Sequence, residues 1–93
     1  MEKLSPNDPV FVALKEHLSP SRIVRILTAD EFDSDGDPVL RLRVVLDHSG
    51  PAVEPKKLFS ATGVVREVMA HQNDNRFPLL TYPSSEEVPE AAA

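Results

Sequence analysis

The chain contains no cysteine and no tryptophan. Without a thiol it can form no disulfide, no thiolate metal site and no cysteine nucleophile, and nothing in it points to an oxidising compartment. Aromatic residues make up only 5% of the sequence. A core must therefore be assembled from Val, Leu and Ile, with Phe11, Phe59 and Phe77 expected as its largest pieces. Glycine is scarce as well: Gly36, Gly50 and Gly63 stand alone in separate segments, which excludes a loop of glycines that could cradle phosphate. No apolar run approaches the roughly 18 residues needed to span a bilayer. The first six residues lack the apolar stretch of a secretory signal, so cytoplasmic residence is the expectation.

What is present fits one small domain. Ninety-three residues leave no room for a second core, and a chain this short buries only about 60–65% of the surface its unfolded form exposes. Fifteen acidic residues against ten basic ones give a net charge of −5. Such a surface repels nucleic-acid phosphates overall, because duplex binding is driven largely by Lys and Arg neutralising phosphate. Only a local cationic strip could override that repulsion.

Local signals divide the chain into elements. Asp8-Pro9 is a helix start, since Asp caps well and Pro suits the first helical position, where its missing N–H has no partner to lose. Val10, Phe11, Leu14 and Leu18 follow at helical spacing, and Ser19-Pro20 stops the run, which predicts a helix from about Pro9 to Leu18. Arg22 to Thr28 is β-branched and apolar and reads as a strand. The turn signals Asp33-Ser34-Asp35-Gly36-Asp37-Pro38 come next, and beyond them Leu40, Leu42, Val44 and Leu46 alternate with Val39, Arg41, Arg43 and Val45. A period of two across this stretch makes a strand with one buried face, and the two strands a hairpin. A second helix, entered at Glu54-Pro55 or at Ala52-Val53, is expected to run to about Gln72, with Leu58, Thr62, Val65 and Met69 on its inner face. Gly63 costs that helix about 1 kcal/mol; close approach of the helix to the sheet is the expected compensation, and a break near Thr62 is the alternative. Phe77 to Tyr82 reads as a short strand at a sheet edge, because Pro78 cannot donate to a ladder. Residues 83–93 hold little to bury and are expected to be a disordered tail to a domain spanning 1–82. The fold class is thus α+β: a two-layer sandwich in α-β-β-α-β order, three strands with both helices on one face. Parallel pairing of the last strand beside the first is one option for closing the sheet.

Motifs that would carry chemistry are mostly excluded. Placing Gly36 at the sixth position of a calcium-binding loop puts Glu31, Asp33 and Asp35 in suitable places, but the closing ligand position is then Leu42, so a solvated turn is the better reading. His17, His48 and His71 share no metal-binding spacing, and no metal is expected. His17 and His71 fall in last turns of helices, where a cation suits the dipole. His48 beside Asp47 is the one pair that resembles a general base. The serines sit at caps and turns, with no Gly-x-Ser-x-Gly string, so no catalytic residue is assigned and no cofactor is expected.

The remaining feature is an arginine set, Arg22, Arg25, Arg41 and Arg43, expected in the hairpin strands. Arg41 and Arg43 must share the face opposite Leu40 and Leu42, where guanidinium groups can grip carboxylates or phosphates; the simpler role is pairing with acidic neighbours across the strands. The element order resembles that of K-homology nucleic-acid-binding modules, yet the Gly-x-x-Gly loop of such modules is absent and the net charge has the wrong sign. The expectation is a small non-enzymatic interaction domain. It would bind a protein partner, or a second copy of itself, through the sheet edge or through a face bearing Arg25, Arg41 and Arg43. A nucleic-acid-binding module on Arg41 and Arg43 is the first alternative. A small enzyme or ligand carrier with a dimer-interface site near His48 is the second. No membrane partner is expected.

Overall fold

The computed structural model describes residues 1–84. Two helices pack on one face of a four-stranded mixed sheet, in the order β1 (Glu2–Lys3), α1 (Pro9–Leu18), β2 (Ile23–Phe32), β3 (Pro38–Leu46), α2 (Pro55–His71), β4 (Phe77–Thr81). Each boundary has a local cause. The Asp8 carboxylate accepts from the Val10 N–H at 2.9 Å, which caps α1. In the hairpin turn, Asp33 Oδ1 accepts from the N–H groups of Asp35 and Asp37, both at 2.9 Å. Gly36 adopts φ +86° there. At the end of α2, Asn73 turns to φ 58° while the Asp74 N–H returns to the Met69 carbonyl at 2.9 Å.

The sheet runs β1-β2-β3-β4, with β1–β2 and β2–β3 antiparallel and β3–β4 parallel. One expectation, the three-stranded sheet, is corrected here. Glu2 and Lys3 form a fourth, two-residue strand against Thr28 and Leu27, extended by the Leu4 N–H bonding to the Ile26 carbonyl at 2.8 Å. The pairing of the last strand, left open between the two hairpin strands, is with β3, because β1 already occupies the far side of β2 and α2 carries the chain across to the other edge. Pro78 does lie in an outermost strand. Ile23 and Ile26 both point inward, three residues apart, because the register shifts between Ile23 and Arg25 and leaves Val24 as an extra residue. Arg22 stands just before β2, outside it. Of the expected tail, residues 85–93 lie outside the described part. Pro83 and Ser84 run beside the end of β3, the Pro83 carbonyl accepting from the Leu46 N–H at 3.0 Å.

The core lies between the layers. Val10, Phe11, Leu14 and Leu18 of α1 and Ala61, Val65 and Met69 of α2 meet Ile26, Leu40, Leu42 and Val44 from the inner sheet face. Phe59 is not part of it. It is 86% exposed, and Phe77 is 48% exposed, so Phe11 is the only one of the three expected aromatics in the core. Phe59 follows the inward-leaning Leu58 by one residue, a rotation of about 100° around the helix that carries it to the outer side. Where α1 ends, the two helices are tied by polar bonds: His17 Nε2 lies 3.0 Å from the Lys57 carbonyl, and Lys57 Nζ donates to the Ser19 carbonyl at 2.6 Å.

Gly63 also departs from expectation. The helix is unbroken there, the residue is exposed, and a Cβ would meet nothing within 4 Å, so close approach to the sheet does not explain it. The two glycines therefore make opposite predictions. Gly63→Ala stabilises the fold by about 0.5–1 kcal/mol through helix propensity. Gly36→Ala destabilises it by about 1 kcal/mol, because its positive φ disfavours a Cβ. Paired urea denaturation of the two variants checks both signs.

Candidate functional site

The sheet face away from the helices is set by register. Arg25 opposes Val45, Leu27 opposes Arg43, and Ala29 opposes Arg41. On the far side of β3, Arg41 is level with Leu79 and Arg43 with Thr81. Arg41 and Arg43 thus share one face, as their spacing requires, and the β2–β3 register brings Arg25 to the same face, while His48 stands apart in the loop beyond the end of β3.

The face is not uniformly open. Arg25 is 6% exposed, and Leu27 and Val45 form a small buried apolar cluster beside it. Exposure is concentrated toward β4, where Phe77 and Leu79 project. Arg66 of α2 sits 5.5 Å from the centroid of the Phe77 ring, a cation–π contact that adds positive charge at this edge. Arg41 donates through Nε to Glu31 at 2.9 Å, so the simpler role weighed for it, pairing with an acidic neighbour across the strands, holds at this position. Both partners are more than a third exposed, and such a pair contributes about 0–1 kcal/mol. Arg43 is different: among the described residues it forms no ion pair. The result is a strip in which Arg43 and a lightly held Arg41 lie next to exposed Leu79 and Phe77. That juxtaposition depends on the β3–β4 register, which the spacing within either strand does not contain.

The other groups considered for chemistry are occupied. Asp47 accepts from the Ser49 hydroxyl at 2.7 Å and from the Ser49 N–H at 3.0 Å. The Ser49 hydroxyl, more than any other neighbour, holds the Asp47 carboxyl below its ordinary range, and His48 beside it is exposed to solvent. A His–Ser contact that no motif suggested brings His17 Nε2 to 2.8 Å from Ser60 Oγ. It is not a nucleophile and its base. The carbonyl of Lys57 can only accept, so Nε2 carries the proton, and the Ser60 hydroxyl donates to the Lys56 carbonyl at 2.9 Å. The carboxylates of Asp33, Asp35 and Asp37 lie within 4.8 Å of one another and are exposed, with Asp33 already engaged in holding the turn.

A third charged group lies on the helix side. Arg76 donates through Nε to Asp74 at 2.9 Å and through Nη1 to Asp30, joining the turn after α2 to β2. Hydrogen bonding from Arg76, outweighing the opposing effect of burial, holds the Asp74 carboxyl below its ordinary range. A carboxyl whose folded value is depressed adds stability above its unfolded value, about pH 4. That contribution disappears as pH falls through the lower folded value. Asp74→Asn is therefore expected to be less stable than the parent chain at pH 7, with the difference vanishing in acid. Thermal melts of both chains from pH 7 to pH 2 check it; a difference that persists unchanged in acid contradicts it.

The fold and this face define a class: a small two-layer α+β domain that offers a mixed cationic and apolar strip on its outer sheet face. Among the described residues, no helix is long and apolar enough to cross a membrane. Comparison with protein-family models, curated proteins and solved structures finds no match to this chain.

Proposed function

We propose that this chain is a small protein-interaction domain whose outer sheet face takes an acidic, partly apolar segment of a partner protein. The observation that carries the reading is Arg43. It is a half-buried guanidinium with no ion pair among the described residues, flanked by Arg41 and by exposed Leu79 and Phe77. Guanidinium groups suit carboxylates through paired, directional N–H donors. Leu79 and Phe77 supply the apolar area that lets a weak ionic contact become a specific one. Pro78 within the edge strand β4 brings no N–H donor, and proline is one device by which natural sheets discourage strand addition, so the reading rests on the face rather than on edge pairing. The net charge of −5 opposes nucleic acid as the occupant.

Fluorescence anisotropy with labelled peptides tests this. A Glu/Leu-rich extended peptide is expected to bind saturably, more weakly as salt rises, and a Lys/Leu peptide of equal length not at all. Equal binding of both peptides, or binding of a single-stranded oligonucleotide in place of either, refutes the reading. Light scattering across a concentration series separates the remaining occupant, a second copy of the chain, through a mass that doubles.

A further inference from the structure

The opposite side of the sheet carries a cleft that the outer-face reading does not use. It lies where β1, the start of α1 and the end of α2 converge over the inner face of β2 and β3, and its volume is about 440 Å3. Small-molecule sites commonly run from about 300 to 1,000 Å3. The floor is apolar, made by Val10, Leu40, Leu42 and Met69 of the core. Its rim is not. Glu2, Asp8, Asp30 and Asp74 bring four carboxylates, against two cationic groups in the lining, the Arg76 guanidinium and the Met1 α-ammonium.

The distribution of these charges decides what the cleft suits. Arg76 is spent on Asp74 and Asp30, which it joins. Asp8 forms no ion pair among the described residues and caps α1 through Oδ1, and Glu2 likewise forms no ion pair among them. The C-terminal end of α2, at Met69 to Gln72, adds the negative end of a helix dipole to the same space. An anion would meet this field unfavourably. A neutral apolar molecule would strip water from carboxylates and return nothing. A bare metal ion would need its carboxylates gathered, and the carboxylate trio at ligand spacing among the described residues is in the distant hairpin turn.

The geometry points to this cleft as a binding site for a small organic cation: a primary ammonium group on a short alkyl or aryl body. The body lies on Val10, Leu40 and Met69, and the ammonium hydrogen-bonds the carboxylates of Glu2 and Asp8 at the rim. This site is separate from the arginine strip, and either can fail without the other.

The test is an NMR titration of the full chain with 2-phenylethylammonium at constant ionic strength. The neutral 2-phenylethanol and the anionic phenylacetate serve as probes of similar shape. Saturable shifts are expected at Thr28, Leu40 and Met69, with a dissociation constant at or below about 1 mM. The alcohol is expected to bind about tenfold more weakly, and phenylacetate not measurably. The double variant Glu2→Gln/Asp8→Asn keeps a good helix cap, since Asn caps as well as Asp, and should weaken the ammonium by about tenfold or more. The proposal is overturned by absence of saturation at about 10 mM, by equal binding of the three probes, by shifts confined to the Asp33–Asp37 turn, or by a correctly folded double variant that binds unchanged.

Discussion

Leu42→Ala is expected to remove about 3 kcal/mol of folding stability, within the roughly 2–5 kcal/mol that truncating a fully buried leucine costs. Leu42 is fully buried at the middle of β3, with Thr28 opposite it on one side and Leu80 on the other. Its side chain faces the core that both helices share, so no single neighbour can move in to fill the space. A domain of this size has about 5–10 kcal/mol of stability in total, and the variant should be only marginally folded at 37 °C. Urea denaturation should show a much lower midpoint with little change in slope. Phe59→Ala is the matched control. It removes a larger side chain, yet Phe59 is 86% exposed, and the change should stay within about 0.5 kcal/mol. A large loss at Phe59 would put that residue in the core and contradict the packing described above.

Reversing Arg41 and Arg43 together is expected to lower affinity for an acidic peptide by about a hundredfold, or roughly 2.8 kcal/mol. Each reversal removes an attraction and installs a repulsion, and like charges brought together on an interface are strongly unfavourable. The two positions should not contribute equally. Arg41 already shares its charge with Glu31 at 2.9 Å, so Arg41→Glu also sets two carboxylates side by side in the free domain. Arg43→Glu breaks no ion pair among the described residues, so its effect should fall almost wholly on binding. Isothermal titration at low and at physiological salt separates them: the Arg43 variant should lose most of the salt dependence while keeping the melting temperature of the parent. Unchanged affinity in the Arg43 variant would exclude this face as the binding surface.

Much of this fold was legible because its signals are local. Asp8-Pro9 and Ser19-Pro20 bound α1 by capping and by the chemistry of proline, and α1 spans Pro9–Leu18 as that chemistry predicts. The alternation from Val39 to Leu46 assigned both faces of β3 for the same reason. β1 was not legible. Glu2 and Lys3 carry no strand propensity, and their strand is defined by pairing with residues some 25 positions away. The partner of β4 was equally hidden, since it depends on which edge of the hairpin is free. Phe59 and Gly63 show a different limit: composition favours burying a phenylalanine and compensating a helical glycine, but the rotation of α2 leaves both in solvent. The arginine face followed from the period of two, whereas the ion pair of Arg41 with Glu31 and the cleft ringed by Glu2, Asp30 and Arg76 exist only once distant segments meet.

The most direct test of the interaction reading is amide chemical-shift mapping of the isotope-labelled chain during titration with the acidic peptide. The reading predicts shifts clustered at Arg41, Arg43, Leu79 and Thr81, with α1 and the Asp33–Asp37 turn silent. Shifts on the exposed side of α2 around Phe59, with the outer sheet face silent, would contradict it.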